Sequence, residues 1–338
     1  GKTTTTTLVG EMMRHFNPQT YVVGNIGNAF SEAVGNIPED GVVVAEVSSF
    51  QLETANTFHP RVSALLNITP DHLNRHGTME NYARAKYQIF ANQRPEDFTV
   101  LNSKDTYYEE AKSYVKGQLI EFSSTTAPVR GAYLQDGVLY ENISGEAHKV
   151  CTTDELFIKG THNVENALAA IAIGIAFGVP RELIREVLVQ FKGVEHRTEY
   201  VTNKKGVDFF NDSKATNTDA AIAGLVGLSS LNKPIRLLAG GMDKKISFTD
   251  WVKLFKGRVA KVYIIGETKK QIVDECKAVG FDAYETFETL EEATLAAYNE
   301  SKPGECVLLS PACASWDMFE SYEQRGQIFK ELVKHLEG

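Results

Sequence analysis

Apolar residues recur along the chain in two alternating patterns. Short, nearly continuous apolar runs, typical of parallel strands buried on both faces, alternate with segments whose apolar residues have helical spacing. In the amino-terminal half the runs are 21–26, 42–47, 62–68 and 98–101, and the helical segments are 8–16 and 82–92. This alternation predicts an α/β domain with a mostly parallel sheet.

The pattern changes between residues 119 and 151, where the predicted strands become short and alternating. Asp136-Gly137 has the composition of a hairpin turn between two of them. Helices are predicted at 163–177 and, after Pro180, at 181–191. We place a domain boundary close to Gly193, which divides the chain into domains 1–192 and 193–338.

Beyond this boundary the α/β alternation begins again. A second hairpin is predicted from 199–201 and 207–210 around a turn at 203–206. Further buried strands are predicted at 235–239, 259–265 and 307–309, with helices at 219–228, 248–255, 269–279, 290–300 and 322–336. The pattern therefore predicts a second, doubly wound domain of Rossmann-like type.

Composition narrows the class of protein. The length of 338 residues is that of two domains, and 43% hydrophobic and 23% charged residues are typical of a globular protein. The net charge of −9 gives no electrostatic reason to bind nucleic acid or an anionic membrane. The longest apolar stretch, 167–179, is shorter than the ~20 residues that cross a bilayer. The cysteines form no C-x-x-C pair, which favours a reduced cytoplasmic setting; they are Cys151, Cys276, Cys306 and Cys313.

The first residues contain a candidate phosphate site. Gly1-Lys2-Thr3, followed by a helical run, corresponds to the end of the G-x-x-x-x-G-K-[ST] loop, whose amides and lysine bind phosphates and whose hydroxyl binds Mg²⁺. The same tripeptide also starts ordinary helices. Because the chain opens on Gly1 without an initiator methionine, we expect that it starts inside this loop.

Polar residues follow two of the predicted strands. Glu46 ends the second strand and His72 follows the third, where a P-loop protein carries its Mg²⁺-binding acid and other polar groups. The alternatives are an ordinary acid at a strand end and a surface histidine. Lys86, on the next helix, by itself suggests a solvated salt-bridge partner.

Two later segments also permit more than one interpretation. Asn163 and Asn166 are three residues apart, so both amides share one face of the helix start, where they can contact a ligand or serve as part of a cap. Residues 211–217 read Asn-Asp-Ser-Lys-Ala-Thr-Asn between a strand and a helix. A turn with a cap explains all of these residue types except Lys214, which favours a ligand-binding loop.

Together these segments resemble the Mur ligase family. In chain order the motifs are GKT, EVSSFQLE, NITPDHLNRHG, YARAK, GTHNVENALAA, HR, NDSKATN and SPACASWD, and they run through nearly the whole chain. The resemblance implies a P-loop-type ATPase domain with a small antiparallel subsheet, followed by a Rossmann-like domain. It also implies an ATP-dependent acid–amino-acid ligase of peptidoglycan synthesis, a cytoplasmic monomer that acts on small molecules.

Within the family, residues 211–217, 309–315 and 323–326 indicate that D-glutamate is joined to UDP-N-acetylmuramoyl-L-alanine through an acyl phosphate. The residues then implied to bind D-glutamate are Lys214, Thr216, Lys244, Ser315 and Tyr322. Cations and hydroxyl donors are the groups that a dianionic amino acid requires.

The resemblance also implies where ATP and two Mg²⁺ ions bind. The implied ATP-binding residues are Gly1, Lys2, Thr3, Thr4, Asn25, Asn163, Asn166, Arg197 and Asp212. The implied Mg²⁺ ligands are Thr3, Glu46, His72 and Lys86. Lys2 and Arg197 would act on the transferred phosphate, the two asparagines of the helix start on the adenine, and Asp212 on the ribose. Lys86 corresponds to a carbamylated lysine, whose formation requires a deprotonated amine and hence a lowered pKa.

Two other functions stay open. One is a related ligase similar to folylpolyglutamate synthetase, and the other is a nucleotide-binding fragment without turnover. Family members carry an amino-terminal domain that binds the UDP group, and we expect that this chain lacks it and turns over poorly.

Overall fold

The structure is a computed structural model that describes residues 1–26, 29–70, 72–158, 160–229, 231–244 and 246–337. The chain divides into two compact units, Gly1–Phe191 (the first unit) and Lys192–Gly338 (the second unit). Each unit buries its own hydrophobic clusters. Across these ranges no helix combines the length and the hydropathy needed to cross a membrane.

The first unit is a mixed α/β structure. Its strands are β1 (Thr20–Gly24), β2 (Val42–Glu46), β3 (Val62–Leu65), β4 (Phe98–Asn102), β5 (Gln118–Ser123), β6 (Gly131–Gln135), β7 (Val138–Glu141) and β8 (His148–Thr152). Its helices are α1 (Lys2–Phe16), α2 (Phe30–Ala33), α3 (Ser49–Leu52), α4 (Leu73–His76), α5 (Met79–Tyr87), α6 (Tyr108–Ser113), α7 (Thr161–Phe177) and α8 (Arg181–Gln190).

Two groups of strands form the sheets of this unit. Strands β1 and β2 pair in parallel, and β3 to β8 form a six-stranded sheet in chain order that is parallel as far as β6 and antiparallel from there to β8. Helix α7 packs on the larger sheet and on α1, and α1 packs on the β1–β2 pair. The predicted hairpin is present, because Asp136 and Gly137 take the positive φ angles of 50° and 74° that a two-residue turn requires.

The second unit is a doubly wound α/β structure. Its strands are β9 (Glu199–Lys204), β10 (Val207–Asn211), β11 (Ile235–Gly240), β12 (Val259–Ile265), β13 (Tyr284–Thr286) and β14 (Cys306–Leu309). Its helices are α9 (Thr218–Ser229), α10 (Thr249–Val252), α11 (Lys269–Ala278), α12 (Leu290–Glu300) and α13 (Tyr322–His335). The strand order is β13-β12-β11-β14-β10-β9, and only β9 pairs antiparallel with its neighbour.

Several boundaries differ from the predictions; the helices predicted at 8–16 and 82–92 are Lys2–Phe16 and Met79–Tyr87, and the strand predicted at 62–68 is Val62–Leu65. The turn expected at 203–206 is only Lys205-Gly206, because pairing between Lys204 and Val207 extends both strands. The helix expected at 248–255 is only Thr249–Val252. The predicted fold class, a mostly parallel α/β protein with a small antiparallel subsheet and a Rossmann-like second half, is confirmed.

Sheet order determines which loops of the second unit meet. Strands β11, β14 and β10 are parallel neighbours, so the segments that follow them leave the same edge of the sheet. The amide of Met242, after β11, donates to the carbonyl of Ala314, after β14, at 3.0 Å. These segments carry the residues expected to bind the amino acid.

Candidate functional site

Helix α1 begins at the candidate phosphate site. Gly1 is its N-cap, and the first turn contains neither an acidic residue nor a side-chain cap. The first amides of a helix have no acceptor within the helix, and they attract anions together with the helix dipole. Lys2 is exposed, Thr4 is half-buried and Thr3 is buried. A Cβ atom on Gly1 would lie 2.7 Å from Asn166 Oδ1, so the helix start is packed closely against α7.

The two asparagines of α7 have different surroundings. Asn166 is buried; its Oδ1 accepts from the Thr5 hydroxyl at 3.3 Å and its Nδ2 donates to Asn163 Oδ1 at 3.2 Å. Asn163 is half-buried. Asn166 therefore joins α7 to the start of α1, and Asn163 is the better placed of the two to contact a ligand.

Glu46 is the last residue of β2 and is buried. Asn25 donates two hydrogen bonds to Glu46. The Asn25 backbone amide donates to the Glu46 carbonyl at 2.7 Å, and Asn25 Nδ2 donates to Glu46 Oε1 at 3.1 Å. Glu46 Oε2 is buried and has no hydrogen-bond partner among the described residues. Since a buried carboxylate oxygen is costly unless it is paired, this oxygen fits a cation ligand.

Glu46 supplies carboxylate oxygens, the donor type that Mg²⁺ prefers. Among the described residues no cluster of three or more His, Cys, Asp or Glu side chains forms a metal site. Mg²⁺ commonly binds through one or two carboxylates, water and substrate phosphates. Glu46, the last residue of a strand that packs on α1, is a carboxylate of this kind.

A row of rings connects His72 with Lys86. The exposed His72 ring lies 4.8 Å from Phe50, and Phe50 stacks on His76 at 5.5 Å. His76 lies 5.1 Å from Tyr82, and Lys86 Nζ lies 4.4 Å above the Tyr82 ring. The two candidate ligands therefore belong to one aromatic cluster.

His76 was not predicted as a site residue, although it organises this cluster. It is buried, its Nε2 lies 3.0 Å from Ser49 Oγ, and its Nδ1 lies 3.3 Å from Glu53 Oε1. It thus links α4 to α3, which follows the Glu46 strand. His72 has a left-handed φ of 53° at the N-cap of α4; Asp71, in the same motif, lies outside the described residues.

Asp212 follows β10 in the second unit and is buried. Its Oδ2 accepts from the Ser310 hydroxyl at 2.8 Å and its Oδ1 from the Thr198 amide at 3.0 Å. Burial raises its pKa to about 7 against the effect of these hydrogen bonds. A contact to a ribose would use the lone pairs that remain on the two oxygens.

Lys214 and Tyr322 lie together. Lys214 Nζ is 5.4 Å from the centre of the Tyr322 ring, and the Ser213 hydroxyl donates to the Tyr322 carbonyl at 2.8 Å. Burial raises the pKa of Tyr322 to about 12, which keeps its hydroxyl protonated at neutral pH. Arg197 is exposed, and its charge opposes the rise in the pKa of both Tyr322 and Asp212.

The remaining substrate candidates occupy the same loops. Thr216 is half-buried and Ser315 is buried. Lys244 Nζ lies 5.5 Å from the ring of Trp316, which is 66% exposed. Trp316 was not predicted as a site residue, and such an exposed aromatic ring beside a cation is a candidate wall for a ligand.

The comparisons with known proteins agree along both units. Residues 1–174 match the family described as Mur ligase middle domain, and residues 196–313 match the family described as Mur ligase, glutamate ligase domain. The chain belongs to the Mur ligase family. The resemblance predicted from its motifs is confirmed.

Relatives of this Mur ligase align over almost its full length. It is 46% identical to a protein of Thermoanaerobacter sp. (strain X514) over 338 residues, which cover 99% of this chain and 74% of that protein. It is 47% identical to a protein of Lachnospira eligens over 337 residues, with coverages of 99% and 74%. Both relatives are named UDP-N-acetylmuramoylalanine–D-glutamate ligase.

Solved Mur ligases share its fold. MurF from Acinetobacter baumannii superposes with a TM-score of 0.70 at 17% identity, covering 99% of this chain and 75% of that one. MurC from Thermotoga maritima gives 0.66 at 20% identity, with coverages of 100% and 74%.

Two further features of this Mur ligase, a buried arginine and a pair of left-handed residues, frame the second-unit loops. Arg325 is 1% exposed and donates to the carbonyls of Ser213 at 2.8 Å and Cys313 at 3.1 Å. His196 and Thr198, on either side of Arg197, have left-handed φ angles of 62° and 44°. Each such conformation costs about 1–3 kcal/mol and persists only where other contacts hold it. Sequence patterns carry no signal for either feature.

Proposed function

We propose that this Mur ligase joins D-glutamate to UDP-N-acetylmuramoyl-L-alanine with ATP. The observation that carries the proposal is the edge of the second sheet, where loops after three neighbouring strands present two lysines and several hydroxyls. Two cations match the two carboxylates of glutamate, and hydroxyl donors fix their orientation. The 46% identity to ligases named for D-glutamate supports this amino acid over other substrates. The binding residues are Lys214, Thr216, Lys244, Ser315 and Tyr322.

The chemistry proceeds in two steps. A carboxylate oxygen of UDP-N-acetylmuramoyl-L-alanine attacks the γ-phosphorus of ATP, which releases ADP and forms an acyl phosphate. The amine of D-glutamate then attacks the acyl carbon, and the carbon–oxygen bond to phosphate breaks, leaving an amide, inorganic phosphate and a proton. Positioning and charge neutralisation are the main contributions of a protein to such phosphoryl transfer.

The first unit would hold the nucleotide. The amides at the start of α1, with Lys2 and Thr4, bind the phosphates, and Asn163 contacts the adenine while Asn166 keeps it in place. Asn25 orients the Glu46 carboxylate. Mg²⁺ would neutralise phosphate charge when bound, with Glu46 Oε2 as its first protein ligand.

The remaining Mg²⁺ ligands in the proposal are Thr3, His72 and Lys86, which would complete two ion sites. Lys86 would act as a carbamate, formed when its neutral amine adds CO₂ and loses a proton. The test is ¹³C NMR in ¹³C-bicarbonate, where we expect a carbamate resonance that Lys86→Arg abolishes. A spectrum identical in the variant would remove the carbamate from the proposal.

The second unit would hold the amino acid. Arg197 binds the oxygens of the transferred phosphate, and Asp212 contacts the ribose. These assignments correspond to an ATP-binding domain over 1–192 and an amino-acid-binding domain over 193–338. The enzyme would act as a cytoplasmic monomer.

The test is phosphate release with ATP, Mg²⁺, UDP-N-acetylmuramoyl-L-alanine and either D- or L-glutamate. We expect release and a new amide product only with D-glutamate. A response to L-glutamate with a folate acceptor would support the folylpolyglutamate-type ligase instead. ATP binding without D-glutamate-dependent release would indicate a nucleotide-binding protein without turnover.

A further inference from the structure

The imidazole of His196 is enclosed in the second unit by a hydrogen bond and by close packing. The imidazole is 6% exposed, and Asn211 Nδ2 lies 2.9 Å from its Nδ1. A Cβ atom on Gly326 of α13 would lie 2.2 Å from the same nitrogen. Only glycine at that position leaves room for the ring.

The orientation of the Asn211 amide determines the protonation of the imidazole. Asn211 Oδ1 accepts from the Ser213 amide at 3.1 Å, and Asn211 Nδ2 donates to Glu199 Oε2 at 2.9 Å. The amide therefore presents its NH₂ group to His196, and Nδ1 has to accept. The ring is then neutral with its proton on Nε2.

The backbone of the same residue connects two candidate substrate groups. The His196 carbonyl accepts from the Lys214 amide at 3.1 Å, and Arg197 follows it directly. On the other side of Arg197, the Thr198 amide donates to Asp212. Arg197 thus stands between two left-handed residues, each held by a hydrogen bond to the segment after β10.

We infer that His196 is a positioning residue whose neutral imidazole, through Asn211, holds segment 194–198 so that Arg197 and Lys214 are presented to phosphate and amino acid. The inference rests on the proposed function for what these two cations bind. An imidazolium would turn an N–H toward the Asn211 NH₂ group, and the segment would lose this anchor.

Burial, rather than the surrounding charges, favours the neutral state of the ring. Burial lowers the pKa of His196 below its ordinary value of about 6.5. The facing groups are Glu195 beside it, Glu199 on β9, and Glu323 and Lys330 on α13. Lys330 bonds both Glu195 and Glu199, which moderates their attraction for a proton.

The experiment compares His196→Asn with His196→Leu over pH 5–8. Asparagine tolerates a left-handed backbone and places an oxygen where Nδ1 stood, so His196→Asn should keep activity near neutral pH and lose the acid limb of the kcat/KM profile. His196→Leu leaves the Asn211 donor unpaired and should lower kcat/KM for ATP and D-glutamate about ten- to a hundredfold. His335→Asn, an exposed histidine of α13, is the matched control and should keep the wild-type profile.

A ligand-free readout separates this inference from the proposed function. In ¹⁵N NMR we expect Nε2 protonated, a His196 pKa below about 6.5, and Lys214 and Thr198 amides that titrate with the ring. These shifts would support the anchor even if the wild type showed no D-glutamate-dependent turnover. The inference is overturned if the Lys214 and Thr198 amide shifts do not change as the imidazole titrates. It is also overturned if His196→Asn loses as much kcat/KM as His196→Leu.

Discussion

Glu46 and Asp212 are buried acids at the carboxyl ends of parallel strands, one in each unit, and their surroundings are opposite. Asn25 Nδ2 donates to one oxygen of Glu46, and the other oxygen is buried with no partner in the part of the chain that the structure describes. Asp212 has both oxygens engaged, by Ser310 and by Thr198. In our proposal the unpaired oxygen of Glu46 is left for a cation, whereas each oxygen of Asp212 already accepts a hydrogen bond from the protein and would contact a ribose through its remaining lone pairs. Acids at similar positions of the two units therefore differ in how far the protein itself completes their hydrogen bonding.

The largest expected effect comes from Glu46→Gln. Loss of partners that merely orient a metal ligand typically costs 10–100-fold, so loss of the ligand itself should lower kcat/KM by at least about a hundredfold. Stability should stay level or rise, because the variant removes an unpaired buried charge. Steady-state kinetics and thermal melting test this, with the exposed Glu39→Gln as control. A marked loss of stability would contradict this, because it would show that the carboxylate of Glu46 is satisfied within the protein, as that of Asp212 is.

Lys86→Ala tests whether the proposed Mg²⁺ site of the first unit needs a second anionic ligand besides Glu46. We expect a loss of about a hundredfold in kcat, partly restored by a small added carboxylate that replaces the carbamate oxygens. Lys112→Ala is the matched control, since Lys112 Nζ also lies above a tyrosine ring, 5.2 Å from that of Tyr108. Unchanged kinetics in Lys86→Ala would exclude it from the site.

Arg325→Lys tests the framework of the second unit. A lysine cannot reproduce the fork that serves Ser213 and Cys313, so buried acceptors lose their donors and unfolding should become easier by about 2–3 kcal/mol. Denaturant titration measures this. The exposed Arg258→Lys should stay within about 0.5 kcal/mol of wild type. If the two variants were equally stable, the hydrogen bonds that Arg325 donates to Ser213 and Cys313 would not contribute to the stability of the second unit.

Asp212→Asn is expected to have a pH-dependent effect. The pKa of Asp212 is raised in the folded state, to about 7, so the folded protein holds the proton more tightly and wild-type stability declines as pH rises from about 4 toward 7. The asparagine variant should therefore gain about 2 kcal/mol on wild type between pH 5 and 8. Denaturant titrations of both proteins at pH 5 and pH 8 measure this gain. An equal difference in stability at the two pH values would show that the pKa of Asp212 is not raised on folding.

The sequence predicted elements best where burial and local signals coincide. The boundaries of β12 agree because Val259–Ile265 is one buried apolar run, and those of α12 agree because Thr289 and Glu292 form a capping box. Strand β13 was not predicted, because Tyr284–Thr286 is short and largely exposed and therefore has no buried apolar run.

The motifs placed Glu46 and Asp212 at strand ends, and the resemblance implied different ligands for them, but neither carried a signal for the different hydrogen bonding of the two carboxylates. That difference depends on long-range partners such as Ser310, almost a hundred residues from Asp212. Burial of His196 likewise depends on Gly326, far along the chain. Local patterns do not encode such contacts.

The most direct test of the account follows oxygen atoms. UDP-N-acetylmuramoyl-L-alanine labelled with ¹⁸O in its carboxylate is incubated with the protein, ATP, Mg²⁺ and D-glutamate, and the phosphate is analysed by mass spectrometry. Acyl phosphate chemistry predicts one ¹⁸O atom in each phosphate released, in proportion to amide formed. Unlabelled phosphate, or release that does not depend on D-glutamate, would contradict the proposed ligase.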